Sequence, residues 1–200
     1  LNYKYLKKNV FAGFNISCVG DDRAYSYLPS RNGGTISDLV AKHVLKWIDS
    51  KFISYKWTDR GSDERQYCSP GIDLPIASIM RTKYGDYPEY HTSLDNLIDV
   101  VTPKGLEGGY WAIRKSIDLL ERNQCYKVLT LGEPQLSKRD MYPSISKKDN
   151  DYIYKVMLDF ISYCDGEHSV LNIADKIDKP CWELYEIIEN LLENKIISLV

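Results

Sequence analysis

Between residues 10 and 122, runs of β-prone apolar residues alternate with segments whose apolar positions recur every 3.6 residues. A chain built that way packs helices on a sheet. The first run, Val10 to Val19, stops at the turn signal Gly20-Asp21-Asp22 and is expected to be a buried strand. Asn32-Gly33-Gly34 then offers residues suited to positive φ, and Thr35 or Ser37 is placed to cap a helix over 36–49 with Ile36, Val40, Val44 and Ile48 on one face. A short strand is expected at Phe52 to Trp57 and a more continuous one at Leu74 to Arg81, with the polar loop Thr58 to Asp73 between them. A second loop, Thr82 to Val101, leads to a helix opened by Pro103 and reaching Arg122, whose apolar stripe reads Leu106, Ala112, Ile113, Ile117 and Leu120. The expected fold class is α/β, with a mostly parallel or mixed sheet. In open sheets of that kind, ligands sit at the carboxyl ends of the strands, where the loops emerge.

Periodicity lapses over 124–148, which carries Gly132, Pro134, Pro143 and Lys147-Lys148 and is expected to be a connector. From Asp149 it resumes. One helix carries Ile153, Val156, Met157, Phe160 and Ile161 and is expected to end at Asp165-Gly166. A short helix, Val170 to Ile177, has Ser169 as its cap, and a third spans Cys181 to Asn194 with Leu184, Ile187, Ile188 and Leu191 inward. The tail Ile196 to Val200 is expected to be a strand. Helix, short helix, turn, helix, strand is the order of a winged-helix unit, so the expected organisation is an α/β part over 1–123, a connector over 124–148 and a winged-helix-like domain over 149–200.

A hydrophobic content of 44% and a charged content of 27% suit a globular chain, and no stretch reaches the roughly 18 apolar residues of a membrane helix. A formal charge of −2 argues against non-specific binding of nucleic acid. The third helix of the winged-helix region presents Glu183, Glu186, Glu189 and Glu193, so that region is expected to contact protein, a second copy in a homo-oligomer included, rather than DNA. Five cysteines, odd in number and without a C-x-x-C pair, fit a reducing cytoplasm. Because the chain opens on Leu1 and soon enters a strand-like run, it is expected to be the carboxy-terminal part of a longer protein.

Two segments carry groups able to do chemistry. The loop from Asp59 to Tyr67 is either a solvated, salt-bridged connection or a pocket lip; read as a lip, it offers Arg60, Asp63, Glu64, Arg65 and Tyr67 to a substrate, with Arg60 or Arg65 able to clamp a carboxylate. The second segment, Pro88 to Asn96, places His91 in a loop after a buried strand, with Thr92 and Asp95 as candidates to orient the imidazole. His43 and His168 are expected to be structural.

Gly-Ser-Asp-Glu-Arg-Gln-Tyr-Cys-Ser-Pro-Gly-Ile-Asp-Leu-Pro (61–75) and Glu-Tyr-His-Thr-Ser-Leu-Asp-Asn (89–96) resemble the closing part of zinc aminopeptidases of the clan that includes glutaminyl cyclase. With Cys-Val-Gly-Asp (18–21), Tyr-Ser-Tyr (25–27) and the closing winged helix, the chain more narrowly resembles a bacterial aminopeptidase-like family with a carboxy-terminal winged-helix domain. The resemblance implies a zinc exopeptidase sandwich, a mixed sheet with helices on both faces. It further implies one zinc ion bound by His91, other ligands and a general base upstream, and hydrolysis of a peptide or amide substrate by metal-activated water. Two departures qualify it: Cys18 stands where the two-zinc enzymes have a carboxylate, and Glu64 where the cyclase pattern has a His. The alternative function is a peptidase-like scaffold without turnover that acts as a binding or regulatory protein.

Overall fold

The computed structural model describes residues 2–136 and 148–200. The chain divides into two units, Leu1–Asp118 and Leu119–Val200. In the first, the order is α1 (Tyr3–Asn9), β1 (Gly13–Ile16), β2 (Ser26–Leu28), α2 (Ile36–Ile48), β3 (Ile53–Ser54), a 3-10 turn (Trp57–Asp59), α3 (Glu64–Tyr67), β4 (Ile76–Met80) and α4 (Pro103–Arg122), whose last turn falls in the second unit. The sheet runs β1-β4-β2-β3 and is mixed: β1 lies parallel to β4, β2 parallel to β3, and β2 antiparallel to β4.

Period-two alternation along β4 divides its side chains between two different environments. Ala77 and Ile79 pack with Tyr27, Ala41, Leu45 and Ala112, so this face is covered by α2 and α4. Met80 turns the other way, to Leu28 and Tyr84, with Tyr55, Trp57 and Tyr90 packed around them. Among the described residues, loops and the four-residue α3 cover this second face, not the long helices expected on both sides. Tyrosines and one tryptophan explain the difference, since rings of that size cover a sheet without a helix to carry them.

Thr35 caps α2, accepting from the Asp38 amide while Asp38 accepts from the Thr35 amide at 2.9 Å, a capping box. The other cap candidate, Ser37, instead accepts from the Gly13 amide at 2.9 Å and donates to the Pro75 carbonyl at 2.6 Å, which ties the helix to the entrances of β1 and β4. Asp38 is fully buried. Burial by itself would raise its pKa, but donors from Ser30, Tyr27 and Thr35 outweigh that and hold it below the ordinary carboxylate value.

The buried face of α4 differs from the expected stripe: Gly105, Gly109, Ala112 and Ser116 face inward, while Leu106 and Ile117 remain 50% and 44% exposed. The glycines decide the orientation. A Cβ at Gly105 would lie 2.0 Å from the Gly20 carbonyl oxygen, and one at Gly109 would lie 2.4 Å from that of Val19. Only the glycine-bearing side of the helix can approach the backbone that follows β1 so closely.

In the second unit, β5 (Cys125–Val128), β6 (Asp165–Ser169) and β7 (Ile197–Leu199) form an antiparallel sheet in the order β6-β5-β7, with helices α5 (Lys148–Ile161), α6 (Val170–Lys176) and α7 (Cys181–Glu193). Phe160, Leu171, Ile173, Leu184 and Leu191 fill its core. Ser169 caps α6, accepting from the Asn172 amide at 3.3 Å. Two expectations are corrected. Residues 125–128 are the central strand and not part of a connector, because β7 and β6 supply partners for both of its edges. Gly166, with φ 92°, lies within β6 instead of ending α5. The remainder of the expected connector, 137–147, lies outside the described residues. Among the described residues no helix is long and apolar enough to cross a membrane.

Candidate functional site

The parallel pairing of β1 with β4 brings the segment after Ile16 and the loop after Met80 to the same end of the sheet. The Arg81 amide donates to the Cys18 carbonyl at 2.8 Å, which locks the two exits together. Cys18 has φ 49°, a left-handed conformation uncommon for a residue with a Cβ. The Tyr87 hydroxyl lies 3.8 Å from its sulfur and donates to Asp95 at 3.0 Å. Burial, then the neighbouring Cys18 and Asp95, push the Tyr87 hydroxyl above its ordinary pKa.

His91 is exposed, has φ 60° and stacks on Tyr90, with ring centroids 4.0 Å apart and planes 18° apart. Tyr90 in turn meets Tyr87 edge-on at 5.6 Å and Tyr84 at 6.3 Å. An aromatic cluster thus sets the plane of the imidazole. The orienting groups expected from sequence bond elsewhere: Thr92 donates to the Glu89 carbonyl at 2.7 Å and Asp95 accepts from Tyr87. Glu89 itself is gripped by both terminal nitrogens of Arg23, each at 2.9 Å, which anchors this loop to the segment after β1.

The charged loop before β4 divides its residues by role. Glu64, expected to face substrate, is fully buried and accepts from Asn15 at 2.8 Å, the Gly61 amide at 2.9 Å, the Ser62 amide at 3.0 Å and the Tyr84 hydroxyl at 2.8 Å. A buried carboxylate needs such donors, and here they fold the loop around it. Asp63 and Tyr67 are exposed. Arg60 and Arg65 line a cleft of about 600 Å³ together with Arg31, Trp57, Gln66 and Ser69, and His91 is not among its lining residues. The Arg60 guanidinium lies 5.0 Å from the Trp57 ring centroid, while Arg31 is paired with Asp73 at 2.5 Å. His43, as expected, is buried in α2, and His168 pairs with Asp165 at 2.7 Å.

Among the described residues, no three His, Cys, Asp or Glu side chains gather as a metal site. Zinc is held by three or four such ligands, so an ion at His91 would need further ligands from outside the described residues.

Residues 1–123 match a family model described as a domain of unknown function, DUF4910. The chain belongs to that family. Residues 124–199 match a winged helix-turn-helix model, in keeping with the α6, α7 and three-stranded sheet arrangement of the second unit. A Clostridium acetobutylicum protein provisionally named a polysaccharide biosynthesis protein with an aminopeptidase-like domain is 37% identical over 172 residues, 84% of this chain and 39% of that one. A crystal structure from Clostridium acetobutylicum, provisionally described as a peptidase, superposes with a TM-score of 0.85 at 31% identity over 98% of this chain and 44% of that one. This DUF4910 member therefore spans less than half of the length of these relatives.

Sequence reasoning missed Tyr84, Tyr87 and Asn15, the partners that organise the site. Each is an ordinary strand or loop residue until its long-range contact is known. Tyr84 had a signal, since it stands three residues after the strand-like run and shares the loop with His91.

Proposed function

We propose that this chain is part of a zinc-dependent, aminopeptidase-like hydrolase of a peptide or amide bond, within a zinc exopeptidase sandwich completed by the longer protein. His91 is one ligand of a single zinc ion in this reading, and the remaining ligands and the general base come from elsewhere in that protein. The observation that carries the reading is the exposed imidazole of His91, held in one plane by Tyr90 at the end of the sheet where β1 and β4 finish. Bound by His91 and ligands from elsewhere in the protein, such an ion would supply a water of lowered pKa.

This chain's own contributions are binding and orientation. Tyr90 and Tyr87 fix the ring of His91, while Glu64 and Tyr84 fix the backbone of the loop that carries Arg60 and Arg65. Those two arginines, with Asp63 and Tyr67 on the same loop, would meet the polar groups of the substrate, a carboxylate by a bidentate contact. A peptide amide or an N-acyl sugar amide fits this chemistry, and the relatives' aminopeptidase-like and polysaccharide-related names agree with either.

A second reading, a scaffold without turnover, is favoured by the departure at Cys18, where the resemblance places a carboxylate ligand. Hydrolysis of amino-acid p-nitroanilides and N-acetyl sugars by the full-length protein and by His91→Ala separates the two. The hydrolase reading expects activity lost in the variant, and the scaffold reading expects none in either.

A further inference from the structure

Arg81, the residue after β4, is only 5% exposed, yet among the described residues it is in no ion pair. Its Nε donates to the Asp21 carbonyl at 2.7 Å, and its guanidinium lies 3.6 Å from the centroid of the Tyr25 ring. Neither contact neutralises the charge. The Asp21 carboxylate is nearby but occupied: it accepts from the Thr82 amide at 2.8 Å, the Thr82 hydroxyl at 2.6 Å and the Arg23 amide at 3.0 Å. A buried guanidinium that no carboxylate pairs directly among the described residues is costly, and this one is kept where it lines a cleft of about 480 Å³.

That cleft lies between the β1–β2 segment and α4. On the helix side it is lined by Lys104, Gly108, Trp111 and Lys115, positions four, three and four apart on one helix face. Gly108 leaves room for the guanidinium, because a Cβ there would sit 2.9 Å from Arg81 Nη1 and 2.5 Å from the Tyr25 hydroxyl. Asp22, Asp49 and Glu107 also line the cleft and would repel an extended polyanion. Among the described residues no acceptor engages the terminal nitrogens of Arg81, which leaves their donors for an oxyanion of two or more oxygens.

We infer that this cleft binds the single anionic group, carboxylate or phosphate, of a small ligand, with Arg81 as its anchor and Lys104 as a second cation at the rim. The inference does not rest on the hydrolase reading, since it uses neither His91 nor a metal.

Isothermal titration of the intact protein at low salt with inorganic phosphate, and separately with acetate, tests it. At least one anion is expected to bind with a Kd of about 1 mM, as suits a ligand of few atoms, and the tighter of the two identifies the source of the oxyanion. Arg81→Gln should weaken binding by about tenfold or more, and Lys104→Glu by about threefold or more. If circular dichroism shows Arg81→Gln to be unfolded, Lys104→Glu, at an exposed position, carries the test alone. Absence of heat from both anions up to about 20 mM, well above that Kd, would overturn the inference, as would wild-type affinity in Lys104→Glu or in folded Arg81→Gln.

Discussion

The Tyr84 hydroxyl donates to Glu64 at 2.8 Å while accepting from the Gly61 amide at 2.7 Å, so one phenol closes the charged loop over a buried carboxylate. Burial, then the hydrogen bond to Glu64, push the Tyr84 hydroxyl above its ordinary pKa, and it stays protonated to donate. The same ring touches Tyr90, on which His91 stacks. Glu64 thereby reaches the imidazole through packing and not through direct contact.

Glu64→Gln should therefore act on stability. The amide keeps the shape but turns one acceptor into a donor facing existing donors, at a cost of about 2 kcal/mol. Urea unfolding would show a lower midpoint with an unchanged slope. A wild-type midpoint would mean that the four donors have other acceptors.

Gly105→Ala sets two effects against each other. Alanine favours a helix interior by about 1 kcal/mol over glycine. Its Cβ would sit 2.0 Å from a backbone oxygen, which cannot rotate away as a flexible side chain can. The clash is expected to win, with a net loss of about 2 kcal/mol or more, as for overpacking in a core. A thermal melt showing the variant more stable than wild type would place α4 farther from Gly20.

Asp38 should make stability pH-dependent. Its folded pKa lies below its unfolded value, near 3.9, so its contribution is fully present above about pH 4 and is lost as pH falls through the folded value. Urea midpoints between pH 7 and pH 3 should fall for wild type and fall less for Asp38→Asn. Parallel curves would remove Asp38 as the source.

These features differ in how far the sequence discloses them. The ends of α2 and α4 are legible because Thr35 and Pro103 are local signals that need no distant partner. The buried side of α4 is not, since periodicity scores Leu106 and Ile117 as apolar and is blind to glycines whose value lies in closeness. Strand β5 is hidden for a related reason: Cys125 to Val128 is short, and its two neighbours come from residues 165–169 and 197–199. His91 is legible from its segment, whereas the inward turn of Glu64 depends on Asn15 and Tyr84, 49 and 20 residues away.

The winged-helix unit should not bind duplex DNA. The α7 glutamates, of which Glu189 is paired with Arg122, offer phosphates repulsion and no cationic strip. Fluorescence anisotropy at about 50 mM salt, where such binding is strongest, is expected to show no submicromolar affinity. Tight, steeply salt-dependent binding would overturn the expectation that this unit contacts protein and not DNA.

The most direct measurement is the zinc content of the purified full-length protein beside that of His91→Ala, read by inductively coupled plasma mass spectrometry with circular dichroism to confirm folding. The account predicts close to one zinc per wild-type chain, since the resemblance places a second ion's carboxylate ligand where this sequence has Cys18, and a loss of most of it in the folded variant. Equal zinc in the two proteins, or none in the wild type, would contradict it.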